Sequence, residues 1–102
     1  MSGEGYNKVG MNDMAEQIIT VSNRAGIHAR PAALLVQAAN DFKSTIYLER
    51  DNRRINAKSI LGIITMGAAY KSELKVIAEG EDAEQAVDTI VKLFNSKFEE
   101  EN

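Results

Sequence analysis

The chain has no cysteine and no tryptophan, and it has a single histidine and a single proline in 102 residues. Without cysteine there can be no disulfide framework and no thiolate chemistry, which fits a reducing cytoplasm. A catalytic zinc site needs two or three histidines or thiolates. One histidine cannot supply them, so a histidine-based metal site would need a second chain; no metal and no cofactor are expected. No apolar run approaches the roughly 20 residues that a membrane span requires. No charged-then-apolar leader opens the chain, so neither membrane insertion nor secretion is expected. Basic residues are also in deficit: 12 Lys and Arg stand against 15 Asp and Glu, for a net charge of −3. A nucleic-acid partner, which would call for a basic face, is therefore not expected.

What is present reads as one globular domain. Hydrophobic residues make up 44% and charged residues 26%, ordinary values for a chain of this length. Residues 1–14, MSGEGYNKVGMNDM, lack periodicity and read as a disordered leader, leaving a single domain over 15–102. From Gln17, QIITVS alternates as a half-buried strand with Ile19 and Val21 inward. NRAG reads as a loop. From Ala29 to Phe42, a helical stripe runs through Ala32, Leu35, Val36, Ala39 and Phe42. STIYLER and RRINA form two strands joined at Asp51-Asn52, a hairpin turn pair. SILGIITMG reads as a short helix capped by Ser59 and ended by Gly67. SELKVIAEG is a strand through Leu74, Val76 and Ala78. Asp82 with Gln85 predicts a capping box, followed by a continuous apolar stripe from Ala83 to Phe98. EEEN reads as a solvated tail. The order β-α-β-β-α-β-α predicts an α+β open-faced sandwich, a four-stranded antiparallel sheet against three helices.

The histidine and the proline fall in one short stretch, Gly26-Ile27-His28-Ala29-Arg30-Pro31-Ala32. His28 is placed just before the first helix, with Ala29 and Arg30 in its opening turn. Proline is tolerated there because first-turn N–H groups have no partner inside the helix. A helix start offers those N–H groups and a partial positive charge, which attract phosphate. Arg30 adds a guanidinium fork suited to phosphate oxygens. Small neighbours (Ala25, Gly26, Ala29, Ala32, Ala33) leave the ring accessible. A nucleophilic nitrogen, an anion-binding helix end and a guanidinium together describe a phosphoryl-accepting histidine. Taken alone, the same residues also read as a helix cap and a solvated arginine.

GIHARPA resembles the active-site signature of the HPr family, the histidine-containing phosphocarriers of the bacterial phosphoenolpyruvate–sugar phosphotransferase system. Lys58-Ser59-Ile60-Leu61-Gly62 is similar to the segment that carries the regulatory serine of kinase-controlled members. The spacing of the two motifs and the element order agree, over about residues 15–98. The resemblance implies that His28 takes a phosphoryl group on Nδ1 from Enzyme I and gives it to a IIA-type protein, with Arg30 and the Ala29 amide holding the phosphate. It implies phosphorylation of Ser59 by an HPr kinase/phosphorylase. It also implies a partner-docking patch at Ile60, Leu61 and Ile64, with Ala33 beside it, and a monomer that relays phosphate without turnover of its own. Many relatives carry Asn or Ser where this chain has Ala25. NRAGIHARPA and LFNSKFEEEN resemble the nitrogen-related branch, whereas NAKSILG resembles the kinase-regulated one. The alternative to the carrier is a regulatory binding module acting mainly through Ser59. For a hydrolase using His28 as general base, no cleft-forming constellation of nucleophile and orienting acid is visible in the sequence.

Overall fold

The computed structural model describes residues 13–99. The strands are β1 (Met14–Thr20), β2 (Thr45–Arg50), β3 (Arg53–Asn56) and β4 (Glu73–Glu79), and the helices are α1 (Ala29–Asn40), α2 (Ile60–Met66) and α3 (Ala83–Asn95). The sheet order is β1-β4-β2-β3, and every pairing is antiparallel. This is the open-faced sandwich that the element order predicts.

Alternation in the strands decides which face the helices cover. Ala15 and Ile19, Ile46 and Leu48, and Leu74, Val76 and Ala78 all point into one core with Leu35, Ala39, Ile63, Val87, Ile90 and Phe94. Residues of opposite parity face away from the helices, with Ile18 exposed on edge strand β1. Asp51 and Asn52 both adopt left-handed backbone, φ 52 and 68. That is the geometry a two-residue hairpin needs to match the strand twist.

Three expectations need correction. Strand β1 begins at Met14, three residues before the alternation at Gln17. Its first turn inward is a small residue, Ala15, which pairs with Ala78 across the edge of the sheet and gives a weak hydrophobic signal. Met14 thus belongs to the sheet. The rest of the expected leader, apart from Asp13, and the tail at 100–102 lie outside the described residues. The apolar stripe through Phe98 is also not one continuous helix. The chain kinks after α3, with Lys97 and Phe98 at φ 56 and 57, and Phe98 turns back into the core. It packs edge-to-face on Phe94, with ring centroids 4.9 Å apart.

The third correction concerns Asp82. It does precede α3, but its side chain makes no cap hydrogen bond. Its carboxylate instead accepts the Lys43 and Ser44 backbone N–H groups at 2.9 Å and the Ser44 hydroxyl. Asp82 is a latch between the start of α3 and the loop into β2. Gly80 makes that approach possible: a Cβ there would lie 2.8 Å from the Ser44 Cα, and its φ is 146. The Ser44 hydroxyl, followed by the Lys43 amide, holds the Asp82 carboxyl below the usual carboxylate value. A carboxyl lowered on folding stabilises the fold above its unfolded value and loses that contribution as pH falls through the folded one. We expect Asp82→Asn to cost about 1–2 kcal/mol at neutral pH. In melts run against pH, the gap from the wild type should close as pH drops below about 4.

Candidate functional site

His28 occupies the N-cap position of α1 with extended backbone, φ −115 and ψ −158. Its carbonyl accepts the first intrahelical bond from the Ala32 N–H at 2.9 Å. Its imidazole makes no cap bond and is exposed. Arg30 is exposed and already helical, although it precedes a proline. Pro31 is buried in the third helical position and has no N–H to offer. Among the described residues no protein group accepts the Ala29 or Arg30 N–H. An accessible ring therefore stands at a helix start with two open amides and an exposed arginine in the first turn. This is the arrangement that the GIHARPA stretch predicts.

The loop ahead of this helix is held from both sides. The Gly26 N–H donates to the Asn23 carbonyl at 3.0 Å, and the Asn23 amide donates back to the Gly26 carbonyl at 2.6 Å. The next N–H, that of Ile27, donates to the Ala68 carbonyl at 2.9 Å. Both faces of the Gly26–Ile27 peptide are thus fixed, and with them the approach of the chain to His28. Asn23 is buried, and its side-chain oxygen has no partner among the described residues. Read as a sequence, NRAG is only a loop. The one available signal is the asparagine three residues before a glycine, a combination that favours side-chain-closed turns.

Gly26 is at φ 75, and a Cβ there would sit 2.9 Å from the Ala68 carbonyl oxygen. We expect Gly26→Ala to cost about 1–3 kcal/mol, from the left-handed backbone and the clash together. The denaturation midpoint should fall, and the Ile27 and His28 amide resonances should move with it.

The Ala68 carbonyl belongs to the loop that follows α2. Ser59 caps this helix, its hydroxyl oxygen accepting the Gly62 N–H at 3.0 Å, and the side chain is half-buried. Gly67 ends the helix in left-handed backbone, φ 63. Both caps agree with the sequence reading. Ile63 and Met66 face the core, whereas Ile60, Leu61 and Ile64 are 45%, 69% and 42% exposed. Ala33, on α1, is half-buried. One short helix therefore carries Ser59 at its start and an exposed apolar patch along its length. Its trailing loop grips the residue next to His28. Among the described residues, no group of three or more His, Cys, Asp or Glu could hold a metal ion.

The profile of the PTS HPr component phosphorylation site family matches residues 15–96. The phosphocarrier protein HPr of Treponema pallidum is 53% identical over 88 residues, which are 86% of this chain and all of the relative. The HPr-like protein Crh of Bacillus subtilis is 42% identical over 77 residues, covering 76% of this chain and 91% of the relative. Among solved structures, HPr of Thermoanaerobacter tengcongensis superposes with a TM-score of 0.81 at 48% identity, covering 85% of this chain and 98% of that one.

Proposed function

The chain belongs to the HPr family of phosphocarrier proteins, and from that premise we propose that its residue His28 is the phosphoryl acceptor. His28 takes the group on Nδ1 from phosphorylated Enzyme I and passes it to a IIA-type protein. The single observation that carries this reading is the exposed, uncapped imidazole beside two open helix-start amides. The Ala29 and Arg30 N–H groups and the Arg30 guanidinium hold the phosphate oxygens while Nδ1 forms its bond to phosphorus and the bond from phosphorus to the phosphorylated group of the donor breaks, that group leaving with Enzyme I. The ring must be reached by a protein donor and then by a protein acceptor, which an exposed ring at the edge of the domain permits. The protein is a relay substrate, not an enzyme, and it works in the cytoplasm. Among the described residues no helix is long and apolar enough to cross a membrane.

Docking uses Ile60, Leu61 and Ile64 with Ala33. Exposed apolar residues gathered on one short helix commonly mark a partner site. Ser59 is the regulatory position, phosphorylated by an HPr kinase/phosphorylase. The chain docks as a monomer.

A direct test is incubation with phosphoenolpyruvate and Enzyme I. One acid-labile phosphate per chain is expected, and its absence would count against the carrier reading. A second reading, a regulator acting through Ser59, draws on the similarity to Crh. It would show acid-stable, ATP-dependent phosphate alone.

A further inference from the structure

The acidic residues of this chain are unevenly placed. Residues 21–40 and 57–72, which span α1, α2 and the loops around His28, contain Arg24, Arg30, Lys58 and Lys71 and not one carboxylate. All 15 acids lie elsewhere in a chain of net charge −3. The chain is acidic overall, and these two segments carry only positive charge.

Two of these cations are gathered on one ring. The Arg24 guanidinium lies 5.7 Å from the Tyr70 centroid and the Lys71 ammonium 5.5 Å from it. Tyr70 is 42% exposed, and both cations are exposed as well. Arg24 comes from the loop before α1, and Tyr70 and Lys71 come from the loop after α2. The two loops are tied by backbone bonds: Lys71 N–H to the Val21 carbonyl at 2.8 Å, and Val21 N–H to the Ser72 carbonyl at 2.9 Å. Lys71 is held in left-handed backbone, φ 75, a conformation that lysine keeps only where its surroundings enforce it. Among the described residues, Arg24 and Lys71 form no ion pair. Stacking on the ring face holds both cations, but they repel each other, and among the described residues neither has a counterion.

We infer that Arg24, Tyr70 and Lys71 form a docking platform for a carboxylate-bearing surface of a protein partner, beside the apolar patch of α2. An acidic group seated there relieves the repulsion between the two cations and draws the partner toward His28. The remaining net-negative surface of the chain orients the encounter so that this face meets the partner first. The contribution is to association, not to the chemistry at the imidazole. The kinetic test rests on the carrier reading above; the binding test does not.

The kinetic test compares the wild type, Arg24→Gln/Lys71→Gln, and a charge-matched control, Lys43→Gln/Lys92→Gln, on other parts of the surface. The platform variant should lose about tenfold in kcat/KM with phospho-Enzyme I at low salt, the lower end of electrostatic steering. It should also show a flatter salt dependence and an unchanged kcat, while the control follows the wild type. Phosphorylation by the small donor phosphoramidate needs no docking and should proceed equally in all three. Equal kcat/KM in platform variant and control would overturn the proposal. So would an equal loss with phosphoramidate, which would place the effect at His28 itself. Low-salt self-association of the wild type, abolished in the platform variant, would assign the surface to a second copy of this chain and overturn it too. If the wild type takes no phosphate from Enzyme I, the carrier reading falls, and the platform is judged by binding. An oligoglutamate peptide at low salt should shift amides within 21–30 and 67–72 of the wild type and not of the variant. No such shift would sink the platform on its own.

Discussion

His28→Ala, incubated with phosphoenolpyruvate and Enzyme I, is expected to take up no acid-labile phosphate at all. The chain holds one imidazole, so no neighbouring ring can substitute for it. Phosphate linked to nitrogen hydrolyses in acid, whereas phosphate on a serine hydroxyl survives it, so acid lability separates His28 from Ser59 in one measurement. The fold should persist in this variant. The imidazole is exposed and makes no cap bond, so its removal takes away no packed surface, and the melting temperature should barely move. Loss of label together with loss of structure would leave the assignment open to a trivial cause; a folded, unlabelled variant does not. Acid-labile label persisting in His28→Ala would rule the assignment out. Arg30→Ala is a graded companion. It removes the guanidinium but leaves the Ala29 and Arg30 backbone amides, so transfer should slow by about 10- to 100-fold, the worth of one charge-assisted contact, without vanishing.

Much of this site was legible because its signals are local. A histidine before a proline-containing first turn places the ring at a helix start whatever the rest of the fold does. Ser59 and Gly67 bracket a helix by backbone chemistry that acts over three or four residues. The strands were legible because the helix-facing side of the sheet is buried and most of the other is not, which writes a period of two into β2 and, apart from buried Ile77, into β4. The misreadings differ in cause, and that of Asp82 is contact across a long stretch of chain. Asp82 followed by Gln85 has the local form of a capping box, but the carboxylate serves Lys43 and Ser44, 39 and 38 residues away. No periodicity reports that choice. Phe98 keeps its place in the apolar pattern of α3 although the backbone beneath it has left the helix, because hydrophobic spacing records burial and not dihedral angles. The grip of Ala68 on Ile27 is likewise a bond between segments about forty residues apart. It makes the His28 loop and the end of α2 one mechanical unit, something neither motif carries by itself.

That unit bears on the second large effect. Phosphorylating Ser59 should reduce transfer from phospho-Enzyme I by about 100-fold or more while leaving the fold intact. The magnitude follows from placing like charge against a docking partner, which costs several kcal/mol. A phosphoserine adds a charge of about −1.5 to −2. It does so within residues 57–72, where the chain carries no carboxylate, and next in sequence to Ile60 and Leu61, which are 45% and 69% exposed. An apolar patch can be desolvated against a partner cheaply, but a dianion at its edge cannot. The fold is spared for a separate reason. Ser59 already accepts the Gly62 N–H as an N-cap, and phosphate oxygens at the same helix start can take over that bond with the helix dipole in their favour. The two halves of the prediction are checked together on protein phosphorylated by the kinase. The melting temperature should stay within a few degrees of the unmodified chain, as expected for a change of no more than about 1 kcal/mol, while KM for phospho-Enzyme I rises. Ser59→Asp carries half the charge and lacks the tetrahedral group, so it should show the same direction with a smaller loss. Ser59→Ala should lose about 1 kcal/mol of stability with its cap and transfer normally. Unmodified transfer by phosphorylated protein would mean that α2 lies outside the docking surface. A collapse of the fold would mean that Ser59 acts through structure, and inhibition would then say nothing about where the partner binds.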